Sequence, residues 1–371
     1  MTEDDTALRR GWTTGACAAA AAKAACQALL TGAFPDPVSI VLPGGQTPAF
    51  ALAREMLSQD EALAGIVKDA GDDPDVTHGA IVFARVRKSA GGAGLIFRAG
   101  AGVGTVTRPG LPLPVGEPAI NPAPRKMIAV AIADVAGEDC DFEVEIGVED
   151  GERLALKTLN GRLGIVGGLS ILGTTGIVIP YSCAAWIDSI HRGVDVARAM
   201  GIAHIAGSTG SASEQAIKAL HRLPDVALIE MGDFIGGLLK YVRAHPVPRV
   251  SIAGGLAKIT KLAQGMLDVH SKRGGADLAD LAALARQAGA PEVAAAAIAN
   301  SNTVAEAFMR AHQAGVELGD CVAARAWDVA AAVMNDPAIE IEIVIFDRDG
   351  GLAGRAAFRG SHEAGRPLNL R

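Results

Sequence analysis

Aromatic side chains, positive charge and paired cysteines are all scarce in this chain of 371 residues. Only 4% of the residues are aromatic and the formal net charge is −7, whereas a general nucleic-acid binder carries a basic balance. The 5 cysteines are odd in number and include no C-x-x-C pair, which argues against a disulfide framework and a zinc ribbon. We therefore expect a cytoplasmic protein without a nucleic-acid partner.

Phosphate-binding motifs and membrane-spanning segments are missing from the sequence as well. No G-x-x-x-x-G-K-[ST] motif occurs, and no G-x-G-x-x-G follows a predicted strand in the second half of the chain, which argues against a nucleotide-dependent enzyme. The apolar residues 163–180 contain glycine, serine and threonine, and Lys23 interrupts the alanine run at 16–22. Neither segment is thus predicted to be a membrane span or a signal peptide, so we expect no membrane partner.

Composition and patterning predict two domains that combine α/β and α+β architecture. Half of the residues are hydrophobic and 45 are glycine, which is typical of a globular, enzyme-like protein with a large core. Residues 1–158 predict an α+β domain with a helix from Pro122 and strands at 38–42, 48–53, 81–87, 95–99 and 141–148. Residues 159–371 predict an α/β domain, because strands ending at 179, 206, 230 and 253 alternate with helices, as in a parallel sheet. An alanine-rich helical stretch at 276–335 and a terminal hairpin complete this domain.

The start of the alanine-rich segment holds the most informative pattern in the chain. Thr13, Thr14 and Gly15 lead into a nearly pure alanine helix that is predicted to end near Gly32. A helix of such small residues permits the close approach of backbone or of a flat ligand, and its first amides can hold an anion. The alternative is a tightly packed internal helix with an ordinary threonine cap.

Five segments, taken together, resemble a known family. They lie at 9–23 (with Arg-Gly-Trp-Thr-Thr-Gly before the alanine run), 72–79 (Asp-Asp-Pro-Asp-Val-Thr-His-Gly), 116–128 (beginning Gly-Glu-Pro-Ala-Ile-Asn-Pro), 162–168 (Arg-Leu-Gly-Ile-Val-Gly-Gly) and 170–178 (Ser-Ile-Leu-Gly-Thr-Thr-Gly-Ile-Val). In this order and spacing they closely resemble the cobalamin-biosynthesis family CbiD, the cobalt-precorrin-5B (C1)-methyltransferases. The resemblance extends from about residue 8 to about residue 335.

The resemblance implies a reaction and a cofactor. The family methylates ring carbon 1 of cobalt-precorrin-5B to give cobalt-precorrin-6A on the anaerobic route to cobalamin, with S-adenosyl-L-methionine as the methyl donor. Cobalt would arrive chelated in the substrate, so no metal site is expected in the protein. Transient contacts with neighbouring pathway enzymes are a further expectation. The alternative function is a non-catalytic carrier of corrinoid intermediates, which would bind the macrocycle but not S-adenosylmethionine.

Cofactor-binding residues are expected beyond the carboxyl ends of the predicted parallel strands, where ligands collect in such sheets. These loops are rich in glycine, serine and threonine, so that backbone can approach a ligand closely. Glu230, at a strand end, is a candidate for holding ribose hydroxyls, and Asp233 is a candidate for the same task; a helix cap and a solvated acid are the alternatives. The predicted cofactor-binding set is Gly173, Thr174, Thr175, Gly176, Gly207, Ser208, Gly210, Glu230 and Asp233.

The acidic loop at 69–78 supplies the candidate catalytic residues. Its spacing fits neither a calcium loop nor a histidine–carboxylate zinc site, and a solvated turn is the alternative interpretation. Because the loop lies in one of the segments that resemble the family, it is expected either to face the positive charge of the cofactor or to supply a base. Asp75 or His78 is predicted to accept the proton lost on methylation.

Basic and hydroxyl side chains are the candidates for binding the carboxylate arms of the macrocycle. Lys258 and Lys261 lie three residues apart at the start of a predicted helix, where they would add to its N-terminal anion site. A solvated helix face is the alternative for these lysines. The predicted substrate-binding set is Thr13, Thr14, Arg125, Lys126, Arg162, Lys258, Lys261, His270 and Ser271.

Overall fold

The computed structural model describes residues 8–360, and contacts divide the chain into two compact units between Ser182 and Cys183. Within residues 8–360, no helix is both long and apolar enough to cross a membrane. The elements of the first unit are β1 (Gly11–Trp12), α1 (Thr14–Thr31), β2 (Val38–Ser39), β3 (Ala49–Phe50), β4 (Arg54–Leu57), β5 (Glu61–Val67), β6 (Ile81–Lys88), β7 (Leu95–Ala99), β8 (Thr105–Val106), α2 (Pro122–Ala136), β9 (Phe142–Val148), α3 (Gly151–Ala155), β10 (Ile165–Val166) and β11 (Ile177–Val178).

The first unit is an α+β structure built on a five-stranded sheet. Its strand order is β4-β5-β6-β9-β7, and all neighbours are antiparallel except β7 and β9. Helix α1 packs on β5 and β6 and also against α2. Residues 16–22 of α1 are completely buried, because alanine and Cys17 carry too little bulk to hold neighbouring backbone away. The alternative interpretation of this segment, an internal helix with a threonine cap, therefore describes α1.

Several predicted elements of the first unit are confirmed, and others need correction. The hairpin of β2 and β3 and the start of α2 at Pro122 are as predicted. The strands β6 and β7 exist, but β9 lies between them. Strands β4 and β5 were not predicted, because β4 is exposed throughout and β5 is rich in alanine and glycine, which have low strand propensity.

Residues 159–182 belong to the first unit, whereas the boundary predicted from the sequence lies at 158/159. Strand β10 pairs with β8, and β11 pairs with β1. The predicted strand that ends at 179 is therefore not part of the parallel sheet, which corrects the sequence-based count of its strands. Local sequence could not predict this pairing, because the partner of β11 is β1, more than 160 residues earlier in the chain.

The second unit contains a five-stranded sheet with helices on both faces. Its elements are α4 (Cys183–Ala199), β12 (His204–Ser208), α5 (Ser211–His221), β13 (Leu228–Glu230), α6 (Ile235–Ala244), β14 (Arg249–Gly255), α7 (Leu256–Ala263), α8 (Leu278–Gln287), α9 (Glu292–Ala299), α10 (Val304–Gln313), α11 (Leu318–Met334), β15 (Glu340–Phe346) and β16 (Leu352–Gly360). The strand order is β13-β12-β14-β15-β16, parallel up to β15 and antiparallel at β16. The predicted parallel α/β fold and terminal hairpin are thus confirmed, and the hairpin extends the sheet.

The two faces of this sheet are covered by different helices. Ile217 of α5 packs on Ala206 and Ala253. Ile259 of α7 packs in the other cluster, with residues such as Ile205. Since side chains alternate between the faces of a strand, α5 and α7 lie on opposite sides. Helix α7 ends at Ala263, earlier than the predicted end near residue 270, and Gly265 with φ 87 follows it.

A single added methyl group tests the close backbone contact that holds β1. A Cβ at Gly11 would overlap the backbone of Ala70 and Gly71, whereas a Cβ at Gly91 would meet no atom of the described chain within 4 Å. Gly11→Ala is expected to lower the free energy of unfolding by about 1–3 kcal/mol, and Gly91→Ala should change it little. Denaturant unfolding of both variants checks this, and equal stabilities would contradict the contact.

Candidate active site

The start of α1, the acidic loop at 69–78 and the chain at 172–176 meet in the first unit. The backbone N–H of Trp12 donates to the carbonyl of Asp69 at 2.7 Å, that of Thr13 to Gly176 at 3.0 Å, and that of Gly15 to Leu172 at 3.0 Å. Three separate segments are therefore joined by main-chain hydrogen bonds. These contacts require backbone to approach backbone, which explains the glycines that the segments share.

Both threonines at the start of α1 are engaged in this junction. The Thr13 hydroxyl caps the helix by accepting from the Ala16 N–H at 3.2 Å. The Thr14 hydroxyl accepts from the Leu172 N–H at 3.0 Å. Both side chains are buried, so their hydroxyls stabilise the junction, and their predicted contact with the substrate stays a prediction.

The loop at 173–176 lies in this junction and not beyond a parallel strand, which corrects its expected position. A Cβ at Gly173 would overlap the Thr13 side chain, and a Cβ at Gly176 would lie 2.6 Å from the Leu42 side chain. Thr174 and Thr175 are exposed. The two glycines are therefore explained by packing, and the two threonines are the members of this predicted set that present side chains to solvent.

Asp75 is held by a buried lysine. The Lys68 ammonium, only 1% exposed, lies 2.6 Å from Asp75 Oδ2, and the Thr77 hydroxyl and N–H donate to Oδ1 at 2.6 and 2.8 Å. Burial acts to raise the pKa of Asp75, but Lys68 and Thr77 together hold that pKa below its ordinary value. A carboxylate stabilised in this way is a weak proton acceptor. Lys68 was missed by sequence analysis, since nothing in the sequence marks a lone lysine after an apolar strand.

His78 points one ring nitrogen inward and is otherwise exposed. Its Nδ1 accepts a hydrogen bond from the Ala70 N–H at 3.1 Å, so a neutral ring carries its proton on Nε2. Half of its side chain is exposed, at 53%. His78 can therefore donate a hydrogen bond through Nε2 as it stands, whereas accepting a proton at Nδ1 requires the bond to Ala70 to open.

The predicted basic residues of the first unit differ in their availability. Arg125 donates to the Ile120 carbonyl at 2.8 Å and to Glu117 Oε2 at 2.9 Å, so its guanidinium braces the turn before α2. Arg162 is half-buried, and its carbonyl accepts from Arg108 Nη1 at 2.7 Å. Lys126 is exposed. Of these three predicted substrate contacts, Lys126 is the one that presents its charge most openly.

In the second unit, the strand order creates a switch point between β12 and β14. Helix α5 follows β12 and leads to β13 on one side, whereas α7 follows β14 and the chain returns as β15 on the other side. Because α5 and α7 cover opposite faces, the loops after β12 and β14 diverge at the carboxyl ends of these strands. Ligands of open α/β sheets bind at such points.

Two helices begin at this switch point with unoccupied space at their first residues. Gly210 precedes α5 and Gly255 precedes α7; among residues 8–360, no side chain caps either helix. A Cβ at either glycine would meet no atom of the described chain within 4 Å. Uncapped N-terminal amides beside open backbone form an anion-binding position.

Lys258 and Asp233 lie at the same edge of the sheet. Lys258 Nζ donates to the Thr209 carbonyl at 2.6 Å and lies 3.0 Å from Asp233 Oδ1. Lys261 is buried and donates to the Val269 carbonyl at 3.2 Å. Of the two predicted lysines, Lys258 thus reaches the switch point, and Lys261 stabilises the chain after α7.

The other predicted residues of this unit divide between packing and the strand ends. A Cβ at Gly207 would overlap Leu238 of α6, so this glycine permits close helix packing. Ser208 is buried, and its hydroxyl lies 3.4 Å from Glu214 Oε2. Glu230 ends β13 and is half-buried. Beyond the sheet, His270 accepts from the Lys272 N–H through Nδ1, and exposed Ser271 begins a short 3-10 turn.

One cluster of metal-ligating side chains occurs among residues 8–360, formed by His204, His221 and Glu342. It lies at the amino-terminal end of the sheet, on the face that α5 covers. Glu342 Oε2 accepts from the Ser251 hydroxyl at 2.6 Å, and Oε1 lies 2.7 Å from Arg355 Nε. Burial, together with His221, lowers the pKa of His204 to about 4. Because Glu342 is already paired with Arg355, these side chains form a satisfied hydrogen-bond network.

The lowered pKa of Asp75 predicts a pH-dependent effect of Asp75→Asn on stability. At neutral pH the variant breaks a largely buried ion pair, which costs about 3 kcal/mol. As the pH falls below about 4, the unfolded wild type takes up this proton before the folded protein does, so the wild type loses its advantage. Urea unfolding at several pH values measures the difference, with Asp60→Asn as the exposed control. A difference that does not shrink in acid would contradict the ion pair.

Comparison with known proteins identifies the family. The CbiD family model matches residues 1–180, and the model of the CbiD C-terminal domain matches residues 268–357. A cobalt-precorrin-5B C(1)-methyltransferase from Agrobacterium fabrum is 63% identical over 98% of this chain and 96% of its own length. One of the same name from Halorhodospira halophila is 60% identical over 95% of each chain.

A crystal structure of a cobalamin biosynthesis protein (CbiD) from Archaeoglobus fulgidus also matches, with 28% sequence identity, a TM-score of 0.39, and coverage of 72% of this chain and 83% of that chain. The curated relatives match across nearly the whole chain, and the family models match both of its halves. This chain belongs to the CbiD family.

Proposed function

We propose that this protein methylates ring carbon 1 of cobalt-precorrin-5B, giving cobalt-precorrin-6A, with S-adenosylmethionine as the methyl donor. The observation that carries the proposal is the identity of 63% over 98% of the chain with a relative named for this reaction. The type of reaction and a switch point whose groups suit such a ligand support the choice of methyl donor.

The groups at the switch point fit the methionine end of this cofactor. Its carboxylate requires N–H donors and positive charge. The uncapped amides that follow Gly210 and Gly255 supply the donors, and Lys258 supplies the charge. Because Lys258 is held by Asp233 and the Thr209 carbonyl, its ammonium is already positioned, so little side-chain entropy is lost on binding.

The acidic side chains at the end of β13 fit the ribose end. Glu230 terminates the strand adjacent to β12, the position from which an acidic residue commonly accepts hydrogen bonds from ribose hydroxyls in doubly wound sheets. When bound, S-adenosylmethionine supplies an electrophilic methyl group on a sulfonium centre. The task of the protein is to align that group with the ring carbon and to exclude water.

For the substrate, Lys126 is the predicted contact of the first unit whose charge is best placed to meet a carboxylate arm. The remaining predicted substrate residues have structural partners, and we propose that Arg125 and Lys261 act by positioning their loops. His78 is the proposed contact of the acidic loop with the reacting macrocycle, through Nε2. Asp75 acts through Lys68 and Thr77 to hold that loop, and His78 is the proposed proton acceptor, at Nδ1 once its bond to the Ala70 N–H opens.

Binding of S-adenosylhomocysteine separates the methyltransferase from the carrier alternative. Titration calorimetry of the wild type should show saturable binding. Gly210→Val should weaken it at least about tenfold, because the new side chain fills the space beside the α5 amides without meeting the protein. Gly91→Val, in a turn of the first unit where a Cβ also meets no atom of the described chain within 4 Å, is the matched control. Absence of binding with and without corrinoid would favour the carrier.

Methyl transfer itself tests the reaction and the catalytic assignment. Anaerobic incubation with cobalt-precorrin-5B and methyl-labelled S-adenosylmethionine should place one labelled methyl group on ring carbon 1. His78→Ala should lower turnover by about 10²–10⁴-fold if this histidine transfers a proton, whereas His312→Ala, on the exposed face of α10, should not. Label at another carbon would refute the function; normal turnover of His78→Ala would refute only the site.

A further inference from the structure

An exposed tryptophan flanks the end of β13. Trp186 lies in the first turn of α4 and retains 43% of its surface exposed. In contrast, Trp327 is fully buried and Trp12 is half-buried. An indole this exposed leaves a large apolar face in water, which is unfavourable unless something covers it.

The position of Trp186 is fixed by the loop that follows β13. Gly232 has φ 55, and a Cβ built there would lie 3.2 Å from three atoms of the indole ring. The N–H of Gly232 donates to the Ser208 carbonyl at 3.2 Å. The indole therefore packs against a loop that is itself hydrogen-bonded to the end of β12, and it borders the switch point.

This arrangement places a flat apolar surface beside polar groups of two kinds. Glu230 ends β13 and lies two residues before Gly232. Asp233 directly follows Gly232 and forms an ion pair with Lys258. This edge of the sheet thus offers a cation with helix amides, a carboxylate and an aromatic ring. S-adenosylmethionine presents a carboxylate, ribose hydroxyls and a flat base, which is one partner for each of these groups.

We propose that Trp186 is the surface on which the adenine of the cofactor stacks. The inference rests on the proposed function, because it names the binding position of one part of the proposed methyl donor. Every purine has a flat face, so stacking requires no further hydrogen bonds and is worth about 1–3 kcal/mol per base. Gly232 is needed because a side chain there would displace the indole.

The affinities of two ligands for two variants distinguish the contribution of the base to binding from that of the carboxylate. Trp186→Ala should weaken both S-adenosylhomocysteine and adenosine by a similar factor, about 5- to 150-fold. Lys258→Met should weaken S-adenosylhomocysteine but leave adenosine nearly unchanged, because adenosine has no carboxylate. Trp186→Phe, which keeps an aromatic face, should lose less affinity than Trp186→Ala.

Tryptophan fluorescence supplies a readout that a purely structural role would not produce. Ligand binding should quench the wild-type emission, and the quench should vanish in Trp186→Phe while calorimetry still detects binding. If the wild type binds no S-adenosylhomocysteine, the proposed function fails. If the wild type and Trp186→Ala bind S-adenosylhomocysteine with equal affinity, and binding does not change the fluorescence of the wild type, the stacking role alone is refuted.

Discussion

The first unit depends on the contact of main chain with main chain around the beginning of α1. A helix of alanines can enter the space between the sheet and α2 because its side chains occupy so little of it. Once it is there, the N–H groups of Trp12, Thr13 and Gly15 reach carbonyls in two other segments. The pattern of Thr13, Thr14 and Gly15, which in the sequence is typical of a binding loop, therefore mainly joins segments inside the first unit.

In the second unit, the strand order determines where the candidate cofactor-binding residues lie. Three of the four loops expected at the strand ends, those after β12, β13 and β14, meet at one edge, and the switch in connection direction opens space between α5 and α7. Polar side chains there are held by short contacts, as Lys258 is by Asp233 and the Thr209 carbonyl. The proposed cofactor site would therefore be formed before any ligand arrives, and binding would require little rearrangement.

Local patterns in the sequence predicted those elements whose cause is local. The proline at the start of α2, the turn between β2 and β3, and the alternation of strands with helices after residue 182 all follow from neighbouring residues. Strand β5 was not predicted because Ala62 and Ala64, which pack in one buried cluster with α1, are small residues of low strand propensity. The misplacement of 173–176 has a similar origin, since β11 pairs with a strand from the start of the described chain.

The same limit applies to single side chains. The spacing of Lys258 and Lys261 placed them on neighbouring positions of a helix, but it did not reveal that one is buried against the Val269 carbonyl. Their difference depends on how α7 is rotated on the sheet. Trp186 was not predicted as a site residue because its proposed role depends on its contact with Gly232, a residue far along the chain.

The internal use of basic side chains has a consequence for how a polyanionic substrate would arrive. Because Arg125 is paired with Glu117 and Lys258 with Asp233, and the net charge is −7, the protein has little excess positive charge to attract such a molecule from a distance. The protein and the substrate would then both be negatively charged and would repel each other. Dissolved salt screens charge repulsion beyond about 10 Å, so added salt would raise the rate of association. Recognition would then begin only at close range, where individual ammonium groups and helix amides outweigh the overall charge.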